Sequence, residues 1–383
     1  MVRTGVRFWT ALTPSPLATI LVVKMRPSQT TAQGPSSNDV RDDWEHELRI
    51  GPAGWAYKDW SGVVYPAPRP TGFHEATYLA QSFDTIEINT SFYRPLRIEQ
   101  AEQWIERVAA NPRFLFTAKL WQRFTHDPAP GAGDEREVRL GFDVLMTEGK
   151  LGAVLVQFPF AFHRTKESVA HLTGLLRRFA QYPLVVEFRH ASWSTPETFA
   201  LLRENRAGFC NIDQPIIGRS LEPSAHVTSE LGYVRLHGRR YDTWFANAKP
   251  ANARTANAGK SAAGDRSGMD APASPSDFFP QNDRVTPDGK AAVPAFERYN
   301  YLYSEQELLP WAERVQAIRA AAKSTYVVAN NHYLGKGVVN ALQLISILKG
   351  VKVAVPESLR QPYPELNEIA AEPPETPTLF PMR

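Results

Sequence analysis

Leu184-Val-Val-Glu-Phe-Arg-His190 runs directly into Ala191-Ser-Trp-Ser-Thr-Pro-Glu-Thr-Phe-Ala-Leu-Leu202. The first run is short and β-branched, with Glu187 and Arg189 two residues apart, which predicts a strand with one polar-tipped face. In the second, Ser194 or Thr195 can cap a helix, Pro196 suits its first turn, and Phe199 and Leu202 share a buried side. The stretch therefore reads as one strand-then-helix unit.

The same unit recurs on both sides. Candidate strands at 48–55, 85–89, 114–120, 152–159, 208–215, 232–238 and 325–331 bring the total to eight. Val169, Leu172, Leu176 and Phe179 mark one helix face after the fourth strand. Ser304 with Glu307 forms a capping box before the last strand. Val338, Leu342, Ile345 and Leu348 line the final helix, which Gly350 can terminate. Only the sixth unit lacks a helical pattern, because 215–228 is irregular. Eight such units predict an α/β fold of the (β/α)8 TIM-barrel type, and no G-x-G-x-x-G follows the first strand to favour a dinucleotide fold.

Length agrees with this reading. Residues 46–355 are expected to form the barrel, with a low-complexity insertion at 245–298 after the seventh strand. Strands and helices from 48 to 355, less the 54 residues of that insertion, leave 254, against about 250 for a typical barrel. Residues 1–45 read as a disordered extension, either a targeting segment or sequence upstream of a later start at Met25. The acidic, proline-rich stretch 356–383 reads as a tail.

Charge and composition narrow the function classes. The net charge is +3, but residues 1–38 hold Arg3, Arg7, Lys24 and Arg26 and no acid, leaving a body of 39 bases and 40 acids. A neutral body gives no argument for an extended nucleic-acid track. No apolar run approaches the roughly 20 residues of a membrane span. The single cysteine, Cys210, cannot form an internal disulfide, which fits a cytoplasmic location. Lying within a strand beside Phe209, it is expected to be an inert buried thiol.

Alternation along the strands sorts their polar residues. Ile86 and Ile88 suit the helix side, which places Glu87 and Asn89 inward. Glu187 and Arg189, and likewise Arg235 and His237, share faces on strands five and seven. Asn211 and Asp213 are expected inward on strand six, while Lys119, Gln157 and Asn330 close strands three, four and eight. A buried charge needs a partner, water or a ligand. Such residues at seven strand ends point to a site at the C-terminal mouth, where barrel enzymes place their chemistry. The following loops add Tyr93 and Arg94, His126, and Trp193, whose aromatic faces could stack a sugar or base. Trp60 is expected to pack the loops instead.

Taken together, these strand-end motifs resemble the YecE-like family, a domain of unknown function similar to TIM barrels. The resemblance runs in order through Gly51-Pro-Ala-Gly-Trp-Ala-Tyr-Lys-Asp-Trp60, Glu87-Ile-Asn-Thr-Ser-Phe-Tyr-Arg94, Phe116-Thr-Ala-Lys119 and Leu155-Val-Gln-Phe-Pro159. It continues through Val186-Glu-Phe-Arg-His190, Arg235-Leu-His-Gly-Arg239, Asn330-Asn331 and Asn340-Ala341. It implies the barrel fold and assigns no reaction.

The residues themselves suggest an enzyme for a small anionic or sugar-like ligand, using Glu187, Glu87 and His237 as acid, base and proton carrier. Lys119, Arg189 and Arg235 would hold the anion, with no redox cofactor. Paired carboxylates also suit glycoside hydrolysis if their spacing allows. A second reading uses Glu87, Glu187, Asp213 and His237 as ligands of a divalent metal in a hydrolase or isomerase. The third is a non-catalytic module for a nucleotide or nucleic acid.

Overall fold

A computed structural model of the chain describes residues 48–126, 130–242 and 295–372. Eight parallel strands form one sheet: β1 (Leu48–Pro52), β2 (Thr85–Ile88), β3 (Leu115–Lys119), β4 (Leu151–Gln157), β5 (Leu184–Glu187), β6 (Gly208–Asp213), β7 (Leu231–Leu236) and β8 (Ser324–Ala329). Their order is β1-β8-β7-β6-β5-β4-β3-β2, with every pair parallel. The remaining seam, between β1 and β2, narrows to a parallel bridge from Ala53 to Glu87, with Gly54 N donating to Glu87 O at 2.8 Å. Gly51 makes the approach possible. A Cβ there would lie 1.9 Å from Thr85 O. The chain is thus a (β/α)8 barrel.

The helices are α1 (Glu75–Leu79), α2 (Ile98–Arg107), α3 (Ala132–Thr147), α4 (Lys166–Arg178), α5 (Pro196–Glu204), α6 (Glu305–Ala321), α7 (Lys336–Lys349) and α8 (Glu357–Arg360). Local chemistry sets their ends. Thr195 caps α5, accepting from Thr198 N at 3.3 Å, with Pro196 in the first turn. Ser304 N donates to Glu307 Oε2 at 2.9 Å to open α6. Gly350 closes α7 at φ 63°, a conformation glycine adopts without a Cβ clash.

No helix follows β6 among the described residues. Asn211 organises the connection instead, its amide donating to His226 O at 2.9 Å while Oδ1 accepts from His226 N and Ser224 Oγ, both at 2.8 Å. Three bonds from one side chain replace the ladder a helix would have supplied.

The barrel interior is filled from the bottom upward. The Arg49 guanidinium lies 5.8 Å from the centre of the Tyr326 ring, and a Cβ on Gly152 would come within 2.5 Å of Tyr326 Oη. Tyr233 forms the next level, 6.0 Å from Tyr326 between ring centres, with its hydroxyl 2.9 Å from Thr117 Oγ1. Charged groups begin above it.

The expected extension lies outside the described residues, as does most of the insertion, which ends in a 3-10 turn at Ala295–Tyr299. The stretch after Pro356 differs from the expected tail. As far as Glu372 it packs on the barrel: Val353 N donates to Ile369 O and Ala371 N donates to Val353 O, both at 2.8 Å, and Leu359 and Leu366 are fully buried. Ser358 Oγ donates to Val64 O at 3.0 Å and Tyr363 Oη to Leu334 O at 2.6 Å. It therefore braces the loops after β1 and β8. Its few apolar residues are separated by prolines and acids, so no helical or strand period betrays them. Among the described residues no helix is long and apolar enough to cross a membrane.

Candidate functional site

One guanidinium organises the mouth of the barrel. Arg235 projects inward from β7 and is completely buried. Its Nη2 lies 2.7 Å from Glu87 Oε1 on β2, and its Nη1 lies 2.5 Å from Glu187 Oε2 on β5 and 3.2 Å from Gln157 Oε1 on β4. Both carboxylates are fully buried. Tyr233 approaches the other Glu87 oxygen at 3.2 Å. Three strands are thereby tied across the barrel by a single planar fork, the geometry that arginine offers and lysine does not.

Two further cations sit above this core. Arg189 Nη2 lies 2.8 Å from Glu187 Oε1, and Lys119 Nζ lies 3.4 Å from Glu87 Oε1. Lys119 also lies 5.6 Å from the centre of the Phe92 ring. Burial, reinforced by the charge of Arg235, lowers the Lys119 pKa to about 8. Burial alone would raise the Glu187 carboxyl, but Arg235, with His237 and Arg189, holds it well below the usual range.

His237 is buried and its pKa falls to about 3, chiefly through desolvation. The Asn330 amide lies 2.9 Å from Nδ1, while Nε2 faces Glu187 Oε1 at 3.3 Å and Arg189 Nη2 at 3.5 Å. His332 is likewise buried and lowered to about 3, by desolvation and then by the charge of Lys119. It stacks on Tyr57 at 4.2 Å, and Tyr299 covers it at 4.7 Å. Asn89 donates to Tyr57 Oη at 3.1 Å. Among the described residues, Asn89 Oδ1 and His332 Nδ1 are buried with no hydrogen-bond partner, an arrangement that a bound ligand or water would relieve.

Glu87, Glu187, Lys119, Arg189, Arg235, His237, Gln157 and Asn330 therefore meet, while Asn89 bonds to Tyr57, which stacks on His332. Tyr93 and His126 each pack edge-on near 5.3 Å against Phe92, on the rim beside Lys119, and the neighbouring Arg94 is exposed.

Two expected site residues do not join this group. Trp193 is fully buried, stacked on Phe188 at 4.4 Å and Phe162 at 5.2 Å, with its indole donating to Phe162 O. It is core, and Trp193→Ala is expected to cost about 3–5 kcal/mol in urea unfolding. Asp213 turns away from the ring, taking Arg239 in a two-pronged pair and the indole of Trp311 on α6. Cys210 is the β6 residue near the ring. Desolvation raises its thiol well above its usual pKa, and the charges of Glu187 and Arg235 reach it. Trp60 is buried as expected, donating to His332 O at 2.7 Å.

Tyr233 and Thr117 were not among the expected residues, although each sits two positions before one that was. Tyr57 and His332 lie beyond regular strands, where alternation gives no signal. A separate cavity of about 520 Å³, lined by Leu48, Asp84, Arg113 and Lys349 among others, opens at the opposite end. That face of a barrel contributes to stability rather than to chemistry.

Residues 49–365 match the family described as "Protein of unknown function DUF72". The chain belongs to this family. A UPF0759 protein, YunF, of Bacillus subtilis (strain 168) is 25% identical over 313 residues, covering 79% of this chain and 94% of that protein. A DUF72 crystal structure from Thermotoga maritima MSB8 is 27% identical and superposes with a TM-score of 0.60, over 79% of this chain and all of the other. A second, from Enterococcus faecalis V583, is 23% identical at a TM-score of 0.59 and supports the fold alone. The DUF72 barrel thus frames the ring around Arg235.

Proposed function

We propose that this DUF72 protein is an enzyme that binds a small anionic substrate at the C-terminal mouth and moves protons there by general acid–base catalysis. One observation carries the reading. Among the described residues, Arg189, Arg235 and Lys119 converge on Glu87 and Glu187, while His237 and His332 stay neutral. An excess positive charge in so dry a place favours an anion. The buried, partnerless Asn89 Oδ1 and His332 Nδ1 beside Tyr57 suit hydroxyls on the same substrate, as a sugar-like body would carry.

Roles follow from the surroundings. Arg235 is wholly buried, so it positions the two carboxylates, whereas Arg189 and Lys119 reach the mouth and hold the anion. Glu187, held ionised by its cations, is a weak base and fixes Arg189 and His237. Lys119, lowered to about 8, suits an acid–base group. Glycoside cleavage fits less well, because the Arg235 guanidinium occupies the space between the two carboxylates. The metal reading loses its donor set, since Glu87 and Glu187 are committed to Arg235 and Asp213 to Arg239. Among the described residues no three potential ligands gather.

Inorganic phosphate is expected to raise the melting temperature of the wild type at low ionic strength, and Arg189→Ala to abolish the rise. An equal rise from chloride at matched ionic strength, or an undiminished one in Arg189→Ala, would count against an anion site.

A further inference from the structure

We propose that Lys119 is a nucleophile that forms an imine, and that the anionic substrate carries an aldehyde or ketone carbonyl. This rests on the anion-site reading and extends it to a covalent step.

Lys119 is redundant as a partner for Glu87. Glu87 is already satisfied by Arg235 at 2.7 Å and Tyr233 at 3.2 Å, so the fold does not need a third partner for that carboxylate. Burying an ammonium costs several kcal/mol, yet Lys119 is placed there with its side chain 10% exposed, dry but still reachable. Its position is also fixed. Lys119 ends β3, and its backbone N–H is tied to Ser91 Oγ at 2.9 Å, so its stem starts from an immobile point. The Phe92 ring flanks it. The site supplies free amine as well. With its pKa at about 8, roughly a tenth of the amine is unprotonated at pH 7, some 100-fold or more above an exposed lysine.

The step balances without oxidant or reductant. The Nζ lone pair attacks the carbonyl carbon, the carbonyl oxygen takes a proton, and nitrogen loses one to give a neutral carbinolamine. Protonation of its hydroxyl then expels water and leaves the carbon–nitrogen double bond. Glu87 Oε1, 3.4 Å from Nζ, balances the charge of the protonated imine. The proton taken by the departing hydroxyl comes from water at the open side of the mouth, because His237 and His332 are both neutral. The substrate's anionic group rests on Arg189.

Full-length protein incubated at pH 7 with glyoxylate or glycolaldehyde phosphate and sodium cyanoborohydride should trap a secondary amine, located by peptide mass. Lys119 is expected to react at least roughly 10-fold faster than the exposed Lys166 and Lys323, and inorganic phosphate should slow it. Comparable labelling of all three lysines, or none at Lys119, overturns the proposal, and this readout needs no variant to fold. Lys119→Arg should lose the adduct, and an adduct count unchanged in Lys119→Arg also overturns the proposal. A phosphate shift without a Lys119 adduct sinks the imine alone. Absence of both sinks the anion site as well.

Discussion

Arg235→Ala is expected to destabilise the barrel by about 3–5 kcal/mol, enough to leave most of the chain unfolded or insoluble. The loss exceeds that of the contacts themselves. Removing the guanidinium strands Glu87 and Glu187, both fully buried, in the interior with their main counter-ion gone. It also leaves a hole on the axis of the barrel, where surrounding strands cannot relax inward. The origin of the effect can be isolated. Arg235→Met combined with Glu87→Gln and Glu187→Gln removes the charges with the cation and should recover much of the stability, although not the anion site. Urea denaturation of the three proteins measures this directly. A cost below about 1 kcal/mol for Arg235→Ala would mean that water reaches the ring and that its burial is not energetically real.

The second large effect is acid sensitivity. His237 and His332 have pKa values near 3 in the fold because burial disfavours their charged forms, while an unfolded histidine titrates near 6.5. Between those values the unfolded chain binds protons that the folded one refuses, so stability falls as pH drops below about 6.5. At pH 5 the two rings together cost about 4 kcal/mol, by an order-of-magnitude count of roughly 2 kcal/mol each. Glu187 acts in the same direction at lower pH. Its depressed pKa contributes stability above the ordinary carboxylate range that is lost on acidification through it. Lys119 adds no slope here, since below about pH 8 it is protonated in both states. Urea midpoints should therefore fall steeply from pH 7 to pH 5, and His237→Gln with His332→Gln should flatten the fall. Equal midpoints at the two pH values would show that neither ring is kept neutral.

The sequence was most informative where strand alternation met a helix signal. In β5 and β7 the polar residues shared a face, and that face proved to be the interior, bringing Glu187, Arg189, Arg235 and His237 together. The same reasoning failed on β6. Alternation separates two faces without saying which is inside, and polarity is a misleading guide when the outside holds unusual partners. Asn211 faces outward because it must bind a connection with no helix of its own, and Asp213 because Arg239 and Trp311 await it. Trp193 failed for another reason. An aromatic residue in a strand-end loop reads identically whether it stacks on a ligand or on Phe188.

By itself the sequence determined the repeated strand–helix unit, the number of units, their caps and the one connection without a helix. All of these rest on interactions within a few residues, where periodicity and side-chain chemistry are written in order along the chain. Only the tertiary structure decided that Arg235 stands between Glu87 and Glu187, that His332 covers Tyr57, and that the segment after Pro356 braces the mouth. Those contacts join residues far apart in the chain, and they exist because closing the sheet brings the ends of its strands into one small, poorly hydrated space where unlike charges must find each other.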